Sequence, residues 1–463
     1  MKSDAKELAK KLCYNKKNLF SDMKDAKKKQ IFDFAEGYKK FLDGGKTERE
    51  CVGLAVDEAK KRGYKEYEFG DKLAVGGNYY YVNKNKSVAI FKVGKRDLNQ
   101  AGVRMIVAHI DSPRLDIKQN PLYESGEMSL LKTHYYGGIK KYQWTAIPLA
   151  LHGVVVLRDG TKKEIRIGEN ATDPVFYITD LLPHLGREQM AKTASKVVEA
   201  ENLNLVVGAT PCDGEDVKDA FKLATLKILN ETYGMTEEDF LSAELTAVPA
   251  FPARDVGFDR ALIGSYGHDD RVCAYPAMMA QFEAGDDETS ICWLVDKEEI
   301  GSEGNTGAQC AMIRDLIESI CGALGADPVR VRLASKCISS DVTSCYDPTY
   351  SSVFEKNNAA LLSNGVAMNK FTGAGGKSGS NDASAEYVGE IRKLLSEAGV
   401  VWQSSELGRV DEGGGGTIAK YVSKLNIDTV DLGVPVLSMH APYELISKAD
   451  LYSAFKAFKA FVR

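Results

Sequence analysis

The sequence has few of the residues and motifs that mark several common protein classes. Its 463 residues include only six histidines, none of the nine cysteines forms a C-x-x-C pair, and no H-E-x-x-H occurs. A thiolate zinc finger, a thioredoxin-type redox site and a helical zinc-protease motif are therefore not supported. No run of about 18 apolar residues is found, so we expect no transmembrane helix.

The net charge and the cysteine content limit the cellular locations and the binding partners that we expect. The 60 Lys and Arg are outnumbered by 65 Asp and Glu, so the net charge of −5 offers no polycationic surface for nucleic acid or anionic lipid. An odd number of cysteines in a long chain is typical of reduced thiols. The charged N-terminus lacks the apolar segment of a secretory signal. We therefore expect a cytoplasmic protein that binds neither nucleic acid nor membranes.

The order of apolar runs predicts two domains, one inserted into the other. Helical patterns fill residues 1–66, short strand-like runs fill the middle of the chain, and strands alternate with helices after about residue 256. Among the later strands we predict 290–296, 329–340, 399–403 and 427–438. Such alternation indicates an α/β sheet, partly parallel and covered by helices. We expect a main domain formed by 1–112 and 253–463, and an inserted β-rich domain at 113–252.

Acidic residues and histidines follow the ends of four predicted strands. His109 and Asp111 follow a short apolar strand at 103–108, and Glu298 and Glu299 follow the strand at 290–296. Asp341 follows the strand at 329–340, and His440 follows the strand at 427–438. Ligand sites in open α/β sheets lie outside the carboxyl ends of the strands. Asp269 and Asp270, at the start of a predicted helix, can reach the same cleft. These side chains are therefore expected to converge.

Imidazole and carboxylate groups together suit zinc, cobalt or manganese. Two histidines and three or more carboxylates exceed the needs of one tetrahedral ion, whereas two ions bridged by a carboxylate would use them all. In the Glu298–Glu299 pair, one residue can bind metal while the other acts as general base. Taken singly, each feature has a simpler explanation: a solvated pair for these glutamates, or a helix N-cap for Asp269 and Asp270. Their joint occurrence favours a metal site.

Five short motifs contain these candidate residues: H-I-D-S-P-R at 109–114, D-D-R at 269–271, E-E-I-G-S at 298–302, S-S-D-V at 339–342 and M-H-A-P at 439–442. They occur in the order found in the aspartyl aminopeptidase family of dinuclear zinc exopeptidases. The sequence resembles the bacterial branch of this family over nearly its whole length. The resemblance implies a metal-dependent aminopeptidase with a mixed, mostly parallel sheet sandwiched by helices. It also implies that the inserted β-rich domain mediates dimerisation.

Residue roles follow from the resemblance. Two divalent ions per subunit, zinc or else cobalt or manganese, would be bridged by Asp269. One ion would also take His109 and Asp341, and the other Glu299 and His440. Glu298 would be the general base, and Asp111 would orient a ligand imidazole. His134, His152 and His268 match no ligand of the family.

Further expectations concern the substrate and the assembly. His184 matches a histidine that reaches the active site of the partner subunit, and the dimers would build a tetrahedral dodecamer. Lys377 could neutralise an acidic substrate side chain. However, its glycine-rich segment at 373–381 departs from the eukaryotic members, as does 411–417. The N-terminal residue removed from peptides could therefore be Asp or Glu, or neutral. A related dinuclear amidohydrolase or carboxypeptidase, and a non-catalytic self-assembling shell protein, remain as alternatives.

Overall fold

The computed structural model describes residues 2–14, 16–21, 23–214 and 217–463. The α-helices are α1 (Lys2–Leu12), α2 (Asp25–Gly44), α3 (Glu48–Lys61), α4 (Leu98–Ala101), α5 (Arg187–Met190), α6 (Ala220–Tyr233), α7 (His268–Gln281), α8 (Met312–Leu324), α9 (Pro328–Ala334), α10 (Ala385–Glu397), α11 (Ala419–Val422) and α12 (Lys448–Phe461). The strands are β1 (Lys65–Glu66), β2 (Asn78–Asn83), β3 (Ser87–Lys92), β4 (Val103–His109), β5 (Arg114–Ser125), β6 (Met128–Tyr136), β7 (Pro148–Val156), β8 (Lys162–Ile167), β9 (Phe176–Tyr177), β10 (Leu205–Gly208), β11 (Ala243–Pro249), β12 (Arg254–Val256), β13 (Leu262–Ser265), β14 (Thr289–Val295), β15 (Lys336–Ser339), β16 (Thr343–Ser344), β17 (Val366–Asn369), β18 (Gly373–Ala374), β19 (Trp402–Ser404), β20 (Gly414–Gly415), β21 (Asp428–Gly433), β22 (Pro435–Val436) and β23 (Glu444–Ser447).

The main sheet is mixed and mostly parallel, as predicted. Its strand order is β1-β2-β3-β14-β4-β15-β21-β17-β19, and the neighbours β14, β4, β15 and β21 run parallel. Successive side chains of a strand face opposite sides of a sheet. In β4, Ile106 and Ala108 therefore pack with α2, α3, α7, α10 and α12, whereas Met105 and Val107 pack with α8, α9 and α11. All four side chains are fully buried, so helices cover both faces of the sheet.

The inserted β-rich unit is a closed antiparallel barrel. Its strands pair in the order β11-β5-β6-β10-β9-β7, and β7 pairs with β11 to close the ring. Strand β8 extends the barrel by pairing with β7. The barrel has its own core, separate from the two cores that flank the main sheet, and Leu115, Trp144, Leu149 and Leu205 are fully buried in it.

The predicted strand at 329–340 is wrong over its first half. Residues Pro328–Ala334 form helix α9, and only Lys336–Ser339 form a strand, β15. The Asp327 side chain accepts hydrogen bonds from the backbone N–H groups of Val329 and Arg330, and Pro328 occupies the first turn. An N-cap of this kind with proline directly after it favours a helix start, and it outweighs the β propensity of Val329 and Val331.

The predicted strand at 427–438 is interrupted. Strand β21 ends at Gly433, and β22 (Pro435–Val436) leaves the main sheet to pair with β16. Proline cannot donate a backbone hydrogen bond to a sheet ladder, which suits the break at this point. His440 therefore lies in a loop that follows a short strand outside the main sheet, whereas His109, Glu299 and Asp341 lie at or just after the ends of its central strands.

Within the described residues, no helix combines the length and the apolar character that crossing a bilayer requires.

Candidate metal centre

The central parallel strands deliver most of the predicted site residues to one edge of the main sheet. His109 is the last residue of β4, Glu298 and Glu299 follow β14, and Asp341 follows β15. Because β14, β4 and β15 are neighbours that run in the same direction, their carboxyl ends lie side by side. Asp269 comes from the start of α7, and His440 from the loop between β22 and β23.

The five predicted metal ligands are brought together around Asp269. Its Oδ1 lies 3.1 Å from Nε2 of His109, and its Oδ2 lies 3.1 Å from Nε2 of His440. The Asp341 Oδ1 is 3.8 Å from the same His109 nitrogen, and the Glu299 Oε2 is 3.6 Å from the same His440 nitrogen. The two oxygens of Asp269 thus face two different imidazoles, each accompanied by one further carboxylate.

The cluster brings several carboxyl groups together where burial disfavours their ionised forms. Burial raises the pKa of Glu298 to about 7, and it raises the pKa values of Glu299, Asp341 and Asp270 well above their ordinary range. Among the described residues, the buried Oε1 of Glu299 and Oδ1 of Asp270 have no hydrogen-bond partner. Buried carboxylates need positive charge or hydrogen-bond donors. Divalent cations would supply that charge, so the donor set fits zinc or a similar ion.

Asp111 organises the loop that carries the two glutamates. Its Oδ1 accepts from the backbone N–H of Glu298 at 3.1 Å, and its Oδ2 accepts from that of Glu299 at 3.2 Å. The Asp111 backbone carbonyl also lies 3.0 Å from Nδ1 of His109. A hydrogen bond at Nδ1 fixes the imidazole so that Nε2 faces the cluster.

One buried glutamate of the site was missed by the sequence analysis. Glu444 is 1% exposed, and its carboxylate accepts from the backbone N–H groups of Asp269 at 3.1 Å and His440 at 2.7 Å. Burial raises the pKa of Glu444 to about 8. It holds the backbone at both of these predicted ligands. An available signal was the position of this acidic residue next to the apolar pair Leu445 and Ile446.

His184 and Lys377 lie outside the cluster. His184 is exposed in the loop that follows β9. Lys377 lies 3.1 Å from Asp382, which is also paired with Lys370 at 2.7 Å. In the described parts of the chain, no hydrogen bond or ion pair joins either predicted substrate-binding residue to the carboxylates around Asp269. His268, which had no assigned role, is fully buried between the Tyr38 hydroxyl and the Ile263 carbonyl.

A helix-covered α/β sheet whose parallel strands end in buried imidazoles and carboxylates is the arrangement of a metal-dependent hydrolase. The family model described as aminopeptidase I zinc metalloprotease (M18) matches residues 41–462. A relative from Clostridium acetobutylicum named probable M18 family aminopeptidase 1 is 46% identical, over 96% of this chain and 98% of its own length.

Solved structures agree with the sequence match. The crystal structure of an M18 family aminopeptidase from Thermotoga maritima has a TM-score of 0.93 and 44% identity, and the match covers 97% of this chain and 99% of that one. A more distant structure, the S. cerevisiae mApe1 dodecamer, has a TM-score of 0.76 at 20% identity, covering 93% of this chain and 96% of that one, and shows the shared fold. The chain belongs to the M18 family of zinc metalloprotease aminopeptidases.

The protein is therefore a metal-dependent aminopeptidase, as the ordered motifs predicted. The alternatives of an amidohydrolase, a carboxypeptidase or a non-catalytic shell protein are not favoured by these relatives.

Proposed function

We propose that two divalent ions, zinc or else cobalt or manganese, act at the cluster around Asp269. Asp269 would be shared by both ions, His109 and Asp341 would complete the ligands of one, and Glu299 and His440 would complete those of the other. The observation that carries the proposal is the position of the two Asp269 oxygens, each 3.1 Å from a different imidazole. One tetrahedral ion would leave part of this donor set unused.

Bound ions at this site would polarise the scissile carbonyl and make a water easier to deprotonate. Glu298 is a neighbouring carboxylate without a proposed role in metal binding, and Asp111 accepts a hydrogen bond from its backbone N–H. In our mechanism Glu298 accepts the proton from the attacking water. It then donates that proton to the leaving amine, so that one residue serves as base and as acid.

The substitution Glu298→Gln tests this role because it keeps the side-chain shape and removes the basic oxygen. We expect the variant to retain its metal content and to lose kcat by about 100- to 10,000-fold, the usual range for general acid–base catalysis. The exposed Glu303 in the same loop gives the matched control Glu303→Gln, which should behave as the wild type. Near-normal turnover in a metal-loaded Glu298→Gln enzyme would show that another group moves the proton.

Aminopeptidase action itself is tested with pairs of peptides that differ only in N-terminal acetylation. A free α-amine should be required, so the acetylated member of each pair should resist hydrolysis. Cleavage of both members would instead support an amidohydrolase. A panel of aminoacyl substrates with Asp, Glu, Leu and Ala then defines which N-terminal residue is preferred.

We further propose that residues 113–252 act as a dimerisation domain, and that the dimers assemble into a tetrahedral dodecamer in the cytoplasm. The solved S. cerevisiae mApe1 structure, which shares the fold, is a dodecamer. Around His184 the barrel exposes Leu181, Leu182, Leu185 and Met190, which are 46%, 48%, 69% and 66% exposed. Contiguous exposed apolar residues are typical of protein interfaces.

A shared active site follows if His184 reaches the partner subunit. Mixed oligomers of His184→Ala and Glu298→Gln subunits should then regain part of the activity that each variant lacks alone. Complete absence of complementation in confirmed mixed oligomers would contradict a shared site.

A further inference from the structure

Strand β6 of the barrel ends beside the metal centre of its own subunit. It ends at Tyr136, and the next two residues, Gly137 and Gly138, run past the cluster around Asp269. We call Tyr136, Gly137 and Gly138 the barrel brace. Each of its residues approaches a different member of the metal centre.

Tyr136 contacts the residue that organises the glutamate loop. Its hydroxyl donates to Oδ2 of Asp111 at 2.8 Å, and both side chains are buried. The guanidinium of Arg114 lies 4.1 Å from the centre of the Tyr136 ring and is paired with Glu48 at 2.7 Å. The paired guanidinium therefore packs against the ring and helps to hold it in place. Its hydroxyl orients the Asp111 carboxylate, which accepts hydrogen bonds from the backbone N–H groups of Glu298 and Glu299.

Gly138 contacts a predicted metal ligand on the other side of the centre. Its backbone carbonyl accepts from Nδ1 of His440 at 2.7 Å. With Nδ1 donating to this carbonyl, Nε2 faces Oδ2 of Asp269 at 3.1 Å, so its lone pair would be available to an ion held at that place. A carbonyl partner of this kind commonly orients a metal-bound histidine.

Gly137 has little room for a side chain. Its φ of +74° is disfavoured for other residues, and an added Cβ would lie 3.2 Å from Oε2 and 3.3 Å from Cβ of Glu299. The glycine thus permits the close approach that brings Tyr136 and Gly138 to their partners. Three consecutive residues of the inserted barrel meet three parts of the centre: Asp111, Glu299 and His440.

We propose that the barrel brace positions the metal centre of its own subunit, an inference that rests on the ligand assignments proposed above. Tyr136 is a positioning residue that acts through Asp111, and Gly138 sets the orientation of His440. The inserted barrel thereby contributes to catalysis within its own chain, in addition to any role between subunits. Loss of the brace should weaken metal binding and slow turnover without changing how substrate is held.

The first test is Tyr136→Phe, which keeps the ring over Arg114 and removes only the hydroxyl. Titration of the full-length metal-free protein with Co²⁺ against a chelating dye should show affinity weakened by about 10- to 100-fold, the usual effect of removing a hydrogen bond from the shell that supports a metal site. The kcat should fall by a similar factor, and KM should stay within about twofold. The half-exposed neighbour Tyr135 gives the control Tyr135→Phe, which should match the wild type.

The second test separates local contact from backbone strain. Gly137→Ala places a methyl group against Glu299. The control is Gly126→Ala, in the turn that joins β5 and β6; Gly126 has φ +58°, and an added Cβ meets nothing within 4 Å. Both substitutions strain a left-handed position, so both should lower the melting temperature. Only Gly137→Ala should weaken Co²⁺ binding.

The outcomes distinguish this inference from the proposed function. If Tyr136→Phe and Gly137→Ala bind Co²⁺ as tightly as the wild type, the brace has no positioning role. If the wild type binds Co²⁺ but cleaves no peptide, the catalytic proposal fails, and the Co²⁺ affinities still decide the role of the brace. If the wild type binds no Co²⁺, both the ligand assignments and the brace are wrong.

Discussion

Replacing His152 with glutamine tests a buried charge network that joins the barrel to the main domain. His152 lies in β7 and is fully buried. Its Nδ1 is 2.8 Å from Oε1 of Glu50 in α3, and its Nε2 is 3.0 Å from Oε1 of Glu169. Lys46 approaches Glu169 to 2.8 Å. An imidazole between two carboxylates is best satisfied when both ring nitrogens carry protons.

The pH dependence of this network follows from the direction of each pKa. Burial disfavours protonated His152, but its bonds to Glu169 and Glu50 raise its pKa above the ordinary 6.5. Its contribution to stability is therefore complete below pH 6.5 and is lost as the pH rises through the folded pKa. Burial also opposes ionisation of Glu50 and Glu169, but His152 lowers both pKa values below 4.5, so their contribution is lost as the pH falls below that value. The network is strongest between these limits.

The stability lost when His152 is deprotonated can be estimated from the number of N–H groups on its ring. Neutral imidazole has a single N–H, so deprotonation of His152 removes one charge-assisted hydrogen bond, worth about 2 kcal/mol. An unfolding entropy of about 2.1 cal/mol/K per residue amounts to roughly 1 kcal/mol/K for the 463-residue chain. The loss then corresponds to about 2 °C in melting temperature if the chain unfolds as one unit.

Melting temperatures of the wild type and His152→Gln should be compared between pH 5 and pH 10 at constant metal concentration. We expect the wild-type advantage to be largest at pH 5 to 6.5 and to shrink by about 2 °C at high pH. The exposed His134 of the same barrel gives the control His134→Gln, whose difference from the wild type should stay small throughout. An advantage of His152 that is constant or grows with pH would refute the proposed protonation state.

Three other predictions concern the active site. Chelation of the metal should abolish hydrolysis and lower the melting temperature, because the buried carboxylates lose their counter-charge. Added zinc should restore the activity, measured by peptide release, and the melting temperature, measured by calorimetry. Gly433→Ala should abolish soluble expression, since its Cβ would lie 1.7 Å from the Asp341 carbonyl, whereas Gly389→Ala, with nothing within 4 Å, should express normally. If Lys377 contacts acidic substrates, Lys377→Ala should reduce kcat/KM for Asp substrates by about tenfold and leave Leu substrates unchanged; equal values for both would contradict that contact.

Much of the main sheet could be predicted because its strands are buried on both faces and therefore appear as continuous apolar runs. The same criterion failed at Val329 and Val331, where the cap at Asp327 decides in favour of a helix. It also missed the long hairpin formed by Arg114–Ser125 and Met128–Tyr136, whose strands carry many polar residues. Closure of the barrel depends on the pairing of β7 with β11, which no local pattern reveals.

The site was predictable where a ligand lies at the end of an apolar strand, as His109 does at the end of β4. Contacts between distant segments carry no such signal. The Gly138 carbonyl and His440 are 302 residues apart, and Tyr136 is an ordinary aromatic residue in the sequence. Glu444 could have been noticed as an acidic residue in an apolar run, but its role depends on backbone groups that only the folded chain brings together.

Anomalous X-ray diffraction above the zinc edge shows whether Asp269 is shared by two metal ions. Crystals of the zinc-loaded enzyme should show two peaks per subunit, one between His109 and Asp341 and the other between Glu299 and His440. Both peaks should lie within ligand distance of Asp269, about 2.0–2.2 Å from its oxygens. A single peak per subunit at full zinc loading, or two peaks that do not share Asp269, would contradict the proposed two-ion site.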